Sequence, residues 1–136
     1  MMITEFEIPS TPDQIQIVEQ MAEKHGKFCD FTRDELDNLS IAVTEIAANA
    51  IFHGNKRDKS KRVFIKMVAT PPKLKIYIRD QGSGFDPDQL HDPLKPENLL
   101  KDSGRGLFIV RTFMDDVKYK FHKDGTEIIM VKTHRE

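Results

Sequence analysis

Apolar residues recur along this chain with two periods, helical in its first half and strand-like in its second. Ile3, Phe6 and Ile8 alternate imperfectly with polar neighbours and predict a short strand over residues 3 to 8. Ser10-Thr11-Pro12-Asp13 then supplies a helix cap with proline near the first turn. Ile15, Val18, Met21 and Ala22 follow at helical spacing, and Gly26 is expected to stop the run. A sharper start is Thr32-Arg33-Asp34-Glu35, a capping box ahead of a second apolar stripe. That stripe comprises Leu36, Leu39, Val43, Ile46, Ala47 and Ala50, and its helix should reach about His53, ended by Gly54-Asn55.

The period then changes to two. Val63, Ile65 and Met67 share one face of a strand over Arg62 to Val68; Leu74, Ile76 and Ile78 do the same after Pro71-Pro72. Residues 86 to 102 hold no sustained period and contain Pro87, Pro93 and Pro96; a segment that long without its own structure is usually functional or mobile. Gly104 to Met114 reads as a helix, with closing strands at Val117 to Phe121 and Glu127 to Lys132 around Gly125. Helices grouped early and strands late predict an α+β sandwich, with helices on one face of a mixed sheet.

Composition narrows the classes. A length of 136 residues suits one domain with one sizeable core. With 32% charged and 38% apolar residues, disorder is excluded. A formal charge of -1 gives no reason to expect direct nucleic-acid binding or an anionic membrane surface. The single cysteine, Cys29, excludes an internal disulfide and reads as a small core residue. The N-terminus lacks a signal-peptide pattern, and no apolar run approaches the roughly 20 residues of a membrane span, so the expected location is the cytoplasm. The five histidines show no paired ligand spacing, which argues against zinc.

Three short motifs carry the candidate chemistry. Glu45 and Asn49 lie four residues apart, on one side of the second helix and off its main apolar stripe. Asn38 and Ala42 precede them on the same stripe, leaving room for a ligand. An amide oxygen suits Mg²⁺, which takes few protein ligands beside phosphates, and a carboxylate one turn away can deprotonate an attacking hydroxyl. Taken alone, the pair also fits an ordinary polar helix face.

Asp80 follows a strand and can accept the exocyclic amine of adenine, while Gly82 and Gly84 let the chain pass close under a flat ring. Taken alone, this is equally an ordinary Asp-x-Gly loop. It is neither a Walker A loop nor a dinucleotide fingerprint, since its glycines open no helix and no Gly-Lys-Ser/Thr follows. Gly104-Arg105-Gly106 does open a helix, where backbone N–H groups and the helix dipole favour an anion, or where glycine simply permits tight packing. Arg105 and Lys101 add positive charge there. Thr126 offers a hydroxyl at a turn, with a structural role as the alternative. Ser83 and Ser103 lie in glycine loops without a nucleophile's partners.

In this order the motifs Glu45-x-x-x-Asn49, Asp80-x-Gly82-x-Gly84, Gly104-x-Gly106 and Gly125-Thr126 resemble those of the GHKL (histidine kinase-like) ATPase superfamily, over residues 3 to 133. Within it the chain is similar to the bacterial anti-sigma factor and serine-protein kinase family, through Thr44 to Gly54 and Gly106 to Val117. The resemblance implies a two-layer sandwich of the Bergerat type, one domain over 1-136, and a mobile ATP lid at about 86-103. It implies ATP and Mg²⁺ as cofactors. Asn49 would hold the metal and Glu45 would be the general base; Asp80, Gly82, Gly84 and Thr126 would surround adenine. His53, Ser103, Gly104, Arg105, Gly106 and Leu107 complete the implied nucleotide contacts.

The implied activity is γ-phosphoryl transfer to a serine or threonine of a small STAS-type anti-sigma-factor antagonist. That transfer would free the kinase to sequester a sigma factor, with a homodimer as the expected assembly. Two other readings stay open: a nucleotide-gated binding module, or a switch kinase acting on another regulator. A stand-alone histidine-kinase catalytic domain is disfavoured, since no helical hairpin carries an acceptor histidine.

Overall fold

The computed structural model describes residues 1–82 and 102–136, with the backbone alone for residues 102–107. Strand β1 (Met2–Pro9) leads through a 3-10 turn (Pro12–Gln14) into helix α1 (Ile15–Phe28). Helix α2 (Arg33–Asn49) continues into a π-helical turn (Ala50–Gly54). Strands β2 (Arg62–Thr70) and β3 (Lys73–Arg79), helix α3 (Asp102–Phe113), and strands β4 (Asp116–His122) and β5 (Gly125–Thr133) follow.

The strands form one sheet in the order β1-β2-β3-β5-β4, antiparallel at every pairing. The α+β sandwich is as expected, but the sheet is not mixed. Strands β3 and β4 run the same way on either side of the α3 crossover, yet β5 lies between them, so no parallel ladder forms among the described residues.

Register explains which face is buried. Ile65 stands opposite Ile78, and Ile76 opposite Met130, so alternate positions of three strands point to one side. Ile65, Met67, Ile76, Ile78 and Met130 are all buried there, together with Leu39, Val43 and Ile46 of α2 and Val18 and Ala22 of α1. Fully burying each of these side chains larger than alanine contributes on the order of 2 kcal/mol. The opposite face carries Lys66, Lys75 and Tyr77, with both ammonium groups over the Tyr77 ring. Among the described residues, no helix is long and apolar enough to cross a membrane.

Both bonds of the capping box form: Glu35 N–H donates to Thr32 Oγ1 at 3.2 Å, and Thr32 N–H donates to Glu35 Oε1 at 2.8 Å. Helix α1, by contrast, does not stop at Gly26. It runs to Phe28 and gives way at Cys29-Asp30, where Asp30 takes a left-handed φ of 63°. Gly26 is buried inside the helix because a Cβ there would come within 2.7 Å of Leu36 Cδ2; the glycine admits α2. Cys29 is the core residue expected, its thiol donating to the Lys73 carbonyl at 3.4 Å and its pKa raised by burial.

Candidate functional site

Three segments converge at one end of the sheet: the end of α2 with its π-turn, the turn after β3, and the start of β5. They enclose a cavity of about 200 Å³ lined by Asn49, His53, Gly54, Asp80 and Thr126. Its apolar wall comes from Ile46, Ala50, Ile78 and Ile128, and from the stacked rings of Tyr119 and Phe121 on β4, 5.0 Å apart. An apolar slot with a few convergent polar groups suits a flat, partly polar ligand.

Asp80 is the polar centre. It is 7% exposed, and its Oδ1 accepts from the N–H groups of Gly82 (2.9 Å) and Thr126 (3.0 Å). The Asp80 N–H in turn donates to the Thr126 carbonyl at 3.0 Å. Oδ2 receives no hydrogen bond among the described residues. Burial pushes this carboxyl above its ordinary pKa, against the two backbone N–H donors. The turn is this tight because two neighbours lack side chains. A Cβ at Gly54 would overlap Asp80 Oδ2, and one at Gly125, where φ is +155°, would overlap the Asp80 carbonyl oxygen.

Asn49 shows the opposite condition. Its Nδ2 is buried with no hydrogen-bond partner among the described residues, so this donor is not spoken for there. Glu45, one turn earlier, is half-buried but does not line the cavity. Ala42, expected to leave open space on this stripe, is instead fully buried.

The turn Ala50–Gly54 explains how His53 and Gly54 reach the cavity. Asn55 N–H bonds to the Ala50 carbonyl at 2.8 Å, one residue farther back than in an α-helix. Such π-turns recur at functional sites.

The remaining expected residues are less gathered. Gly82 lines an adjoining hollow with Phe64, Arg79 and Gln81. Ser103, Gly104, Arg105, Gly106 and Leu107 fall within the first turns of α3, which begins at Asp102 rather than at the glycine pair. Gly84, Lys101 and residues 86–101 of the expected lid lie outside the described residues.

Two contributions escaped the sequence reading. Tyr119 and Phe121 sit on the inward positions of β4, and alternation along that strand was the available signal. Lys132, only 8% exposed, donates from Nζ to the Phe113 carbonyl at 2.7 Å and so caps the C-terminus of α3; burial lowers its pKa. Nothing in the local sequence marks that contact.

An antiparallel sheet under helices thus carries a mostly apolar cavity at its strand ends. The chain belongs to the histidine kinase-like ATPase domain family, which it matches over residues 8–132. Membership implies ATP as the nucleotide. The chain is 31% identical over 134 residues to serine-protein kinase RsbW of Bacillus subtilis (strain 168), covering 94% of this chain and 83% of that protein. It is 39% identical over 108 residues to the anti-sigma F factor of Clostridium perfringens (strain 13 / Type A), covering 76% of each. Among solved structures, part of the chain holding the RsbU and RsbW domains of Rv1364c from Mycobacterium tuberculosis shares its fold. That match has a TM-score of 0.70 and 12% identity, over 98% of this chain and 32% of that one.

Proposed function

We propose that this chain is an ATP-dependent protein serine/threonine kinase and anti-sigma factor, which phosphorylates a small antagonist and sequesters a sigma factor. The observation that carries the reading is the cavity itself. It is lined by both Asp80, read here as the carboxylate that meets the base, and Asn49, whose buried Nδ2 has no partner among the described residues, in a chain similar to serine-protein kinases and anti-sigma factors.

Asp80 Oδ2 accepts the adenine amine, with Thr126 and Gly82 holding the carboxylate from behind. Asn49 would hold Mg²⁺ through its amide oxygen, since the metal needs few protein ligands once phosphates supply the rest, and its buried Nδ2, unpartnered among the described residues, would donate to the nucleotide. When bound, Mg²⁺ neutralises charge building on the phosphates. Glu45, one turn toward the helix start, takes the proton. The acceptor hydroxyl oxygen bonds to the γ-phosphorus, the bond from phosphorus to the β–γ bridging oxygen breaks, ADP leaves, and the hydroxyl proton passes to the Glu45 carboxylate. Ser103 to Leu107, at the start of α3, supply backbone N–H groups toward the phosphates.

A second copy of the chain packs along β1, whose outer edge pairs with no strand among the described residues and exposes Ile3. The working location is the cytoplasm, where sigma factors act.

The deciding experiment is phosphate transfer from γ-labelled Mg-ATP into host-lysate proteins, run with the unmodified chain and with Glu45→Ala. An acid-stable label on a small protein, lost in the variant while ATP still binds, is the expected result. ATP binding without any labelled protein points instead to a nucleotide-gated binding module.

A further inference from the structure

A buried amide joins four segments just behind the cavity. Asn55 follows the π-turn and is fully buried. Its Nδ2 donates to Ser10 Oγ at 2.8 Å and to the Arg62 carbonyl at 2.9 Å. Its Oδ1 accepts from the Gln81 N–H at 2.6 Å. Ser10, also fully buried at the end of β1, donates its own hydroxyl to the Lys61 carbonyl at 2.7 Å. Gln81 is gripped a second time, since its Oε1 accepts from the Arg62 N–H at 2.6 Å. These donors and acceptors permit one orientation of the Asn55 amide, with Nδ2 toward a carbonyl and Oδ1 toward an N–H.

A buried amide ordinarily satisfies nearby backbone groups and nothing more. Two contacts separate Asn55 from that case. Its chain neighbour Gly54 presses on Asp80 Oδ2 so closely that a Cβ would overlap it. On the far side of Gln81, a Cβ at Gly82 would come within 2.7 Å of the Gly54 carbonyl oxygen. Residues 54–55 and 80–82 therefore lie one on the other, and the bond from Gln81 to Asn55 sets their register. A slip between them moves Asp80 Oδ2, the one carboxylate oxygen that no protein group holds among the described residues.

We propose that Asn55 is a positioning residue for adenine recognition. It holds the Asp80 turn against the end of α2 and ties that turn, through Ser10, to the end of β1. The proposal rests on the reading of Asp80 as the base-reading carboxylate. Asn55 acts through Gln81, and a disturbance at the β1 end reaches the base along Ser10, Asn55 and Gln81. Nucleotide preference is thereby coupled to whatever engages β1.

The test compares equilibrium binding of ATP and inosine triphosphate, which has a carbonyl where adenine has its exocyclic amine. The proteins are the unmodified chain, Asp80→Asn, Asn55→Ala, Asn55→Asp, Ser10→Ala and the double variant Asp80→Asn/Asn55→Ala, each with its denaturant midpoint. Asn55→Ala should cut the preference for ATP at least about fivefold, the scale of one well-placed hydrogen bond. Asn55→Asp, which still offers Gln81 an acceptor, recovers part of that preference. Ser10→Ala leaves Asn55 two of its bonds and cuts the preference about twofold. On the Asp80→Asn background, Asn55→Ala changes the preference no further, because both act at one contact. Variants that unfold earlier yet keep the full ATP preference overturn the proposal and leave Asn55 a structural residue. Should Asn55→Ala fail to fold, Asn55→Asp and Ser10→Ala decide by the same ratio. An unmodified chain with no preference, or one that Asp80→Asn leaves intact, removes the Asp80 reading and the proposal with it.

Discussion

Replacing Asp80 with Asn exchanges one oxygen for an NH₂ group and should separate stability from ligand binding. In the variant, the amide oxygen stays at the Oδ1 position and still accepts from Gly82 and Thr126. The NH₂ group then occupies the place of Oδ2 and meets the adenine amine donor to donor. Losing a hydrogen bond to a charged acceptor costs about 1.5–3 kcal/mol, which is roughly a 10- to 100-fold loss of ATP affinity. The fold responds in the other direction. Because burial raises this pKa, the folded chain binds the proton more tightly than the unfolded chain does. The associated stability is full below the ordinary value of 3.8 and is lost as pH rises past the folded-state value, so the ionised carboxylate is a burden at neutral pH. Asp80→Asn lifts that burden, and its denaturant midpoint at pH 7 should match or exceed the original. Calorimetric titration with ATP and a urea melt on the same preparation measure both effects. ATP affinity within twofold of the original would refute the reasoning about the base, and a clear loss of stability would refute the reasoning about the charge.

Other expectations follow from neighbouring contacts. Burial favours a raised pKa for Glu35, yet hydrogen bonds from His134 and from the N–H groups of Thr32 and Arg135 hold it at about 2. This stability is present above 4.5 and disappears as pH falls through about 2, so the deficit of Glu35→Gln in urea melts should shrink across that window. Gly125→Ala forces a Cβ into the Asp80 carbonyl and should cost about 2–4 kcal/mol in denaturant melts while weakening ATP binding; an unaltered melt contradicts the close approach. Lys132→Met strips the Phe113 carbonyl of its buried donor and should cost about 1–3 kcal/mol, with amide exchange at the end of α3 as the local readout.

What the sequence disclosed and what it hid divide along physical lines. The capping box at Thr32 and Glu35 was legible because both partners lie within four residues and their chemistry is local. The strand faces around Ile65 and Ile76 were legible because a buried face repeats every second residue. Gly26 misled, since a glycine that ends a helix and one that admits a neighbouring helix look alike until α2 is in place. The mixed sheet was wrong because strand direction depends on where β5 inserts, which no local pattern encodes. In the cavity, Asn49 and Asp80 stood out by motif, whereas Asn55 did not, because its partners Ser10 and Gln81 lie 45 and 26 residues away.

The π-turn after α2 amounts to a phase shift. An α-helix advances about 100° for each residue, so the extra residue taken up between Ala50 and Gly54 sets the angle at which everything beyond it leaves the helix. Deleting one residue there would let the segment close as ordinary α-helix with its core stripe intact. It would also swing His53 and Gly54 away from Asp80. The site is in this sense counted as well as composed: it depends on the number of residues between Asn49 and Asn55 as much as on their identities.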